Sequence, residues 1–478
     1  MVANQLDLSN ETLKDRPDRG KGPVLATHEF LFVALEADRP LAGGARYSLT
    51  EIDEVVIGRG ADRTAGRSND GGVRRLTLRL PGKSLSGLHA RLLRRGNAWT
   101  LEDAGSTNGC FVGGKRTQSA AIGPNDVIEV GHSFLLLRTV ALPVDQAPAD
   151  LDSAQLDGEL PGFATLVPAL SARLAALTRI ARSDVTVVLC GETGTGKELL
   201  ARGLHKLSQR PGPFVAVNCG ALTESLAESQ LFGHVRGAFT GATADAVGFV
   251  RAADNGTLLL DEVGDLCRSG QAALLRVLQE RDVVPVGSAR AQKVEVRFVA
   301  SSPWPLTQQV EGGGFRSDLF ARLGGYLMTT VPLRERREDI GVLTSALLTR
   351  AGVRGGADGP RLTPEAALLL LQYDWPLNIR ELEQSLRRAV ALAGEQAIEP
   401  AHLVLEGVGA GKGAPALSPG SARVLSPEDS ALRQSLIDAL TATKGNVAEV
   451  ARQLGKARMQ LHRWMRRFDI DPQSFRDP

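Results

Sequence analysis

The chain has 478 residues, more than one ordinary hydrophobic core holds, so two to four domains are expected. Its 43% hydrophobic and 23% charged residues are those of a soluble globular protein, and no run approaches the ~20 apolar residues of a helical membrane span. The net charge of +2 says little by itself, and the four cysteines (Cys110, Cys190, Cys219, Cys267) form no C-x-x-C pair, which argues against a zinc or disulfide framework and for a cytoplasmic protein with no membrane partner.

Residues 1–27 are polar, lack an apolar signal core and read as a disordered lead-in. Residues 28–140 hold short strand-like runs (EFLFVAL, EVVIGR, RLTLRL, HARLLRR, WTLED, DVIEV, SFLLLRTV) separated by Gly, Pro, Asn and Asp, the pattern of an all-β sandwich. Residues 60–75 read as a long Arg/Gly-rich loop within it, and residues 141–160, rich in Ala, Asp and Pro, read as a linker. Residues 161–405 alternate helical stretches with buried strands (TVVLC, FVAVNC, TLLLDEV, VRFVAS), which predicts an α/β domain with a largely parallel sheet, becoming helical after about residue 330. Residues 406–427 are a Gly/Pro/Ser/Ala tether, and residues 428–478 are again helical. The fold class is therefore multidomain: an all-β sandwich, an α/β P-loop domain with a helical lid, and an all-α C-terminal module.

GETGTGKE, residues 191–198, follows an apolar strand and precedes a helical stretch, the context a P-loop requires. Backbone N–H groups from Gly191, Glu192, Thr193, Gly194, Thr195 and Gly196 would cradle the phosphates of ATP, with Lys197 reaching the β- and γ-phosphates. Glu198 stands where Ser or Thr usually helps hold magnesium. In TLLLDEVGD, Asp261 would hold Mg2+ and Glu262 would polarise the attacking water. Two such motifs in order, each at a strand end, make an ATPase the expectation.

This region resembles the AAA+ domain of bacterial sigma-54-dependent transcription activators. The most specific likeness is the hexapeptide GAFTGA (Gly237, Ala238, Phe239, Thr240, Gly241, Ala242), which in that family forms the loop that contacts sigma-54. The resemblance implies further roles: Asn218 as the switch residue restraining Glu262, Arg316 and Arg322 as arginine-finger candidates, and Arg380 as the sensor II arginine. A finger supplied to a neighbouring subunit implies a homo-oligomer, a hexameric ring in the family. The chain departs from the family at Leu377 (Gly in WPGN), at Ser302–Pro303 (Thr-Asn at the sensor I strand end) and at Gln230 (Glu).

IGR (57–59), SLSGLH (84–89) and STNG (106–109) make the N-terminal domain similar to a forkhead-associated (FHA) domain, a reader of phosphothreonine. The resemblance assigns Arg59 and Ser86 to the phosphate, His89 to bracing the loop, Asn108 to the peptide backbone, and Thr107 as a further candidate. The family's Ser-Arg-x-His is Ser-Gly-Leu-His here, losing an arginine at Gly87. Residues 59–95 carry ten Arg or Lys against Asp62 and Asp70, which suits a phosphothreonine of about −1.5 to −2 charge. An inert β-domain with a solvated basic face would look similar.

In residues 432–470, GNVAEVARQLG reads as helix, turn and second helix, and the segment resembles the Fis-type helix-turn-helix. Lys456, Arg458, Gln460, His462 and Arg463 would enter the major groove of double-stranded DNA upstream of promoters, with Arg466 and Arg467 on phosphates. Together the three resemblances imply an activator that spends ATP on remodelling sigma-54 RNA polymerase holoenzyme under the control of a phosphothreonine partner. A remodeller of a non-transcription target, and a phospho-dependent adaptor with weakened ATPase, are the alternatives.

Overall fold

The computed structural model describes residues 25–143, 149–156, 160, 162–354, 359–405, 427–443, 449, 450 and 452. The chain divides into two units, Met1–Gly409 and Ala410–Pro478. The expected tether at 406–427, save Pro427, which begins a helix, and the DNA-reading residues Lys456, Arg458, Gln460, His462, Arg463, Arg466 and Arg467 lie outside the described residues. Of the second unit, the helix Pro427–Ala442 is described.

The first unit begins with two antiparallel-rich sheets. Strand Leu25–Glu36 starts inside the expected lead-in and pairs with Ser133–Pro143 on one side and Ala45–Ser48 on the other. The stretch read as an Arg/Gly-rich loop is instead a hairpin, Thr64–Asp70 against Val73–Leu80, turning at Gly71 and Gly72 with φ of 62° and 87°. Thr64–Asp70 is exposed along its whole length and has no apolar alternation, so period-two reasoning had nothing to detect. The 141–160 segment also carries structure: Leu151–Asp152 adds an edge strand against Ala45 and Arg46.

The α/β part is a five-stranded parallel sheet in the order Phe214–Asn218, Thr257–Asp261, Arg297–Ser302, Val187–Cys190, Tyr326–Thr329. Successive side chains of a strand point to opposite faces. Accordingly Leu258, Leu260, Phe298 and Ala300 join one hydrophobic cluster, while Leu259, Val299, Val187 and Leu189 join another on the opposite face. Burial on both faces is why these strands read as continuous apolar runs. The sequence reading missed Tyr326–Thr329, an edge strand of which Met328 alone is buried. The lid follows, with helices Ile340–Arg350, Pro364–Gln372, Asn378–Ala393 and Pro400–Leu403.

The β-sandwich and the lid share a core. Leu31, Val33 and Leu135 face into the sandwich, whereas Phe30, Phe32 and Leu136 face out and pack with lid residues including Leu333, Ile340 and Leu370. Polar contacts stitch the same boundary. Arg138 bonds to Glu338, and Leu362 N–H donates to Ala37 O at 2.8 Å. Arg46 donates to Leu166 O at 2.6 Å, and buried Asp339 accepts from Leu166 N–H and Thr165 Oγ1, both at 2.7 Å.

Candidate nucleotide site and phosphate-binding loops

Between strand Val187–Cys190 and helix Lys197–Ser208 the chain makes a loop that only glycine suits at three places: Gly191, Gly194 and Gly196 have φ of 137°, 81° and 99°. A Cβ on Gly191 would lie 2.1 Å from Thr330 Oγ1, and one on Gly194 would lie 2.0 Å from Leu377 O. The loop is thus clamped between sheet and lid. Thr195 Oγ1 fixes it further through Glu192 O and Thr330 Oγ1, each at 2.8 Å. Lys197 Nζ donates back to Gly191 O at 2.6 Å and Glu192 O at 3.1 Å. Burial pushes its pKa down, opposed by the nearby carboxylates of Asp261 and Glu262.

Asp261 ends its strand beside the loop, and Glu262 follows with φ 54°, a left-handed conformation that is uncommon for a non-glycine residue. Ser301 holds both: its hydroxyl donates to Asp261 Oδ1 and accepts from Glu262 N–H at 3.3 Å. The sequence reading noted Ser302–Pro303 as a departure at the sensor I strand end and missed this residue. Ser302 is instead used locally, accepting from Trp304 N–H at 3.2 Å. Its role appears only once the strand pairing is known, which sets Ser301 beside Asp261 on the neighbouring strand.

The remaining nucleotide-side candidates fall on three surfaces. Arg380 is exposed beside Gly194, and its charge reaches Lys197. Glu192 turns its carboxylate to the lid, paired with Arg334 at 2.6 and 2.8 Å and with Asn378 Nδ2 at 3.2 Å, leaving its backbone to the loop. Glu198 pairs with Arg202 at 2.8 Å, and Thr193 O accepts from Asn378 Nδ2 at 3.0 Å. Asn218 accepts from Ala221 N–H at 3.2 Å, and the Asn218 and Glu262 side chains both border Gly220 without a hydrogen bond between them. Arg316 pairs with Asp318 at 2.7 Å, and Arg322 donates to Leu278 O at 3.2 Å, so neither is engaged with its own P-loop. Leu377 takes φ −101° and is 53% exposed, so the backbone there accepts leucine in place of glycine.

The GAFTGA segment closes on itself: Gly237 N–H donates to Ala242 O at 2.9 Å and Ala242 N–H to Phe239 O at 3.0 Å. Gly237 and Gly241 have φ of 80° and 102°, Thr240 is exposed, and a Cβ on Gly287 would meet Ala238 Cβ at 2.7 Å. Phe239 is half-buried, packed edge-on against His234 with centroids 5.0 Å apart, rather than a bare tip.

At the loop end of the N-terminal sandwich, the five residues that the FHA resemblance singles out converge. Buried His89 accepts Ser86 N–H on Nδ1 at 3.1 Å, so its proton sits on Nε2, which donates to Gly109 O at 3.1 Å. Thr107 N–H donates to Ser86 Oγ at 3.2 Å, Asn108 Nδ2 donates to Ser84 O at 2.7 Å, and Arg59 N–H donates to Ser86 O at 2.9 Å. The basic field inferred from residues 59–95 narrows. Arg63, Arg67, Arg74, Arg75, Arg91, Arg94 and Arg95 each pair with a carboxylate, most of them from outside that window. Arg79 donates to Gly87 O at 2.6 Å, and the Arg59 and Lys83 side chains have no partner among the described residues.

A glycine-rich loop and an acidic strand end on neighbouring parts of one parallel sheet, under a helical lid, define an AAA+ ATPase domain with a nucleotide site. The sigma-54 interaction domain model matches residues 165–329, the AAA+ ATPase lid domain 334–416, the FHA domain 55–131 and the Fis-family bacterial regulatory protein model 433–468. The transcriptional regulatory protein ZraR of Escherichia coli K12 is 40% identical over 348 residues, covering 68% of this chain and 77% of that protein. ZraR of Klebsiella oxytoca is 44% identical over 296 residues, 62% of this chain and 66% of that protein, so the match spans about two thirds of such relatives. A solved structure of NtrX from Brucella abortus in complex with ATP aligns at 30% identity over 63% of this chain and 68% of that one, with a TM-score of 0.47. The chain belongs to the sigma-54-dependent transcriptional activator family. Among the described residues, no helix is long and apolar enough to cross a membrane.

Proposed function

We propose that the chain binds DNA upstream of promoters and uses ATP hydrolysis to remodel sigma-54 RNA polymerase holoenzyme into the open complex, under control of a phosphothreonine partner. The observation that carries this reading is the intact GAFTGA loop, folded on His234 in the same domain as the P-loop. Magnesium and ATP fit the donor set. The loop Gly191–Lys197 presents N–H groups at a helix N-terminus, and Lys197 already points its ammonium at that loop. Asp261, held by Ser301, supplies the carboxylate for Mg2+. Bound Mg2+ would neutralise charge on the β- and γ-phosphates. Glu262 polarises the attacking water, and Arg380 steadies the nucleotide from the lid. Arg316 or Arg322 completes the site of a neighbouring subunit in a hexameric ring, consistent with neither arginine engaging its own P-loop. Asn218, across Gly220 from Glu262, restrains the glutamate until hydrolysis.

At the N-terminal domain, Arg59 and Ser86 take the phosphate and Asn108 takes the peptide backbone, with Thr107 and His89 shaping the loop. The Arg59 guanidinium supports this, because an anion there meets a cation that no carboxylate among the described residues has neutralised. The C-terminal residues Lys456 to Arg467 read and position DNA as the Fis-type resemblance implies. Purified full-length chain with ATP should convert closed complexes of sigma-54 holoenzyme to heparin-resistant ones and leave complexes of other sigma factors unchanged. Conversion without ATP, or none with it, overturns the reading.

A further inference from the structure

A cavity of about 840 Å3 opens beside the P-loop, and three parts of the chain wall it. Thr195, Gly196 and Leu199 form the floor, and Val342 and Ala346 of the lid form one side. The outer side comes from the FHA domain: the turn Leu41–Gly43 and the pair Asp62–Arg63, with Asp152 and Ser153 behind them. The cavity borders the P-loop at Thr195 and Gly196 and the lid at Ile379, so it is the space open to the part of a bound nucleotide beyond its phosphates.

The FHA wall is fixed in place. Arg63 is 8% exposed and fully engaged: Nε and Nη2 chelate Asp152 at 2.7 and 2.8 Å, Nη1 bonds Glu36 at 2.8 Å, and Nη2 reaches Ala42 O at 2.9 Å. Burial pushes the Glu36 carboxyl up, with Arg63 opposing it, so removing the guanidinium would leave a buried carboxylate short of a partner. The lid grips the same wall. Ser345 Oγ donates to Leu41 O at 2.8 Å, and Gly341 lies so close that a Cβ would be 2.1 Å from Ala34 O and 3.1 Å from Gly43 O. Arg63 is also four residues from Arg59, on the same connection from strand Glu54–Arg59. A wall of the nucleotide cavity and Arg59, whose side chain has no partner among the described residues, therefore share one short segment.

We propose that the FHA domain is part of the nucleotide site: its Leu41–Gly43 and Asp62–Arg63 segments close the outer side of the cavity and govern how fast nucleotide leaves. Arg63 acts as a positioning residue, holding the wall through Asp152, Glu36 and Ala42 O rather than touching nucleotide. The claim rests on nucleotide binding at the P-loop and not on what Arg59 binds.

The test loads the full chain with radiolabelled ADP and follows its release after a chase of unlabelled ADP. Two variants loosen the wall by separate routes: Arg63→Ala releases it from Asp152 and Glu36, and Gly341→Ala forces the lid away from Ala34 and Gly43. Each should release ADP at least tenfold faster than wild type, with thermal unfolding showing a folded chain. If Arg63→Ala does not fold, Gly341→Ala decides. Wild-type release from a folded Gly341→Ala overturns the proposal. A phosphothreonine peptide added to the wild type reports separately on the Arg59 reading: no binding there ends that reading and leaves the wall to the release rates.

Discussion

The loop Gly191–Lys197 offers backbone N–H groups and one half-buried lysine, whereas the Arg59 end of the FHA sandwich offers side chains, Arg59 foremost. In the first, left-handed glycines, with contacts under 2.2 Å to a Cβ added at Gly191 or Gly194, leave almost no freedom of conformation. In the second, rigidity lies one layer back, where buried His89 ties Ser86 to Gly109, and the Arg59 side chain has no partner among the described residues. On the proposed reading, the loop that would bind the same phosphate chain in every turnover is built into the backbone, and the one that would discriminate among partners carries its charge on a replaceable side chain. The two differ in how mutation reaches them, and that difference is testable.

The largest effect is expected on the ATPase side. Arg316→Ala or Arg322→Ala should lower the ATPase rate by ~10³–10⁵ if that arginine serves a neighbour's site. Mixing the finger-deficient variant with a Lys197→Ala chain should restore part of the rate, because intact pockets then meet intact fingers. No recovery at any ratio places the arginine in its own subunit's chemistry. On the FHA side, Arg59→Ala should weaken a phosphothreonine peptide by about 10–100-fold, the scale of one hydrogen-bonded charge, without changing the melting temperature. Equal binding by variant and wild type would empty the comparison of its second half.

A smaller effect separates Ser301 from its neighbour. Ser301→Ala should cost about tenfold in kcat by freeing Asp261, whereas Ser302→Ala, which removes a local turn contact, should stay near wild type. The smallest prediction concerns the boundary that joins the two regions. Burial raises the Asp339 carboxyl from 3.8 to about 6, despite Arg336, Leu166 N–H and Thr165. A raised folded pKa gives stability that is fully present below 3.8 and lost as the pH rises through about 6. Wild type should therefore gain about 1 kcal/mol over Asp339→Asn when the pH falls from 7 to 5, measured by thermal unfolding of both. A constant difference across that range would mean Asp339 is not the titrating group.

Much of the P-loop side was legible because its chemistry is local: Gly191, Gly194 and Gly196 bracket the loop, and Asp261 ends an apolar run. Ser301 was not, because its role depends on which strand lies beside Thr257–Asp261, a pairing with no local signature. The same limit hid the FHA–lid core. The run FLFVAL is apolar at every position, which in an antiparallel sandwich means that both faces are covered, yet nothing local names the lid as the cover. The basic count over residues 59–95 misled for the same reason, since Asp150, Asp152, Asp53 and Glu102 neutralise those arginines from outside the window.

The most direct test of the whole account separates turnover from output in one variant. Phe239→Ala leaves Lys197, Asp261, Glu262 and Ser301 untouched, and removes the ring packed on His234. Steady-state ATPase and permanganate reactivity of a sigma-54 promoter should be measured on the same preparation. The account predicts ATPase near wild type and no promoter melting. Melting equal to wild type would contradict it.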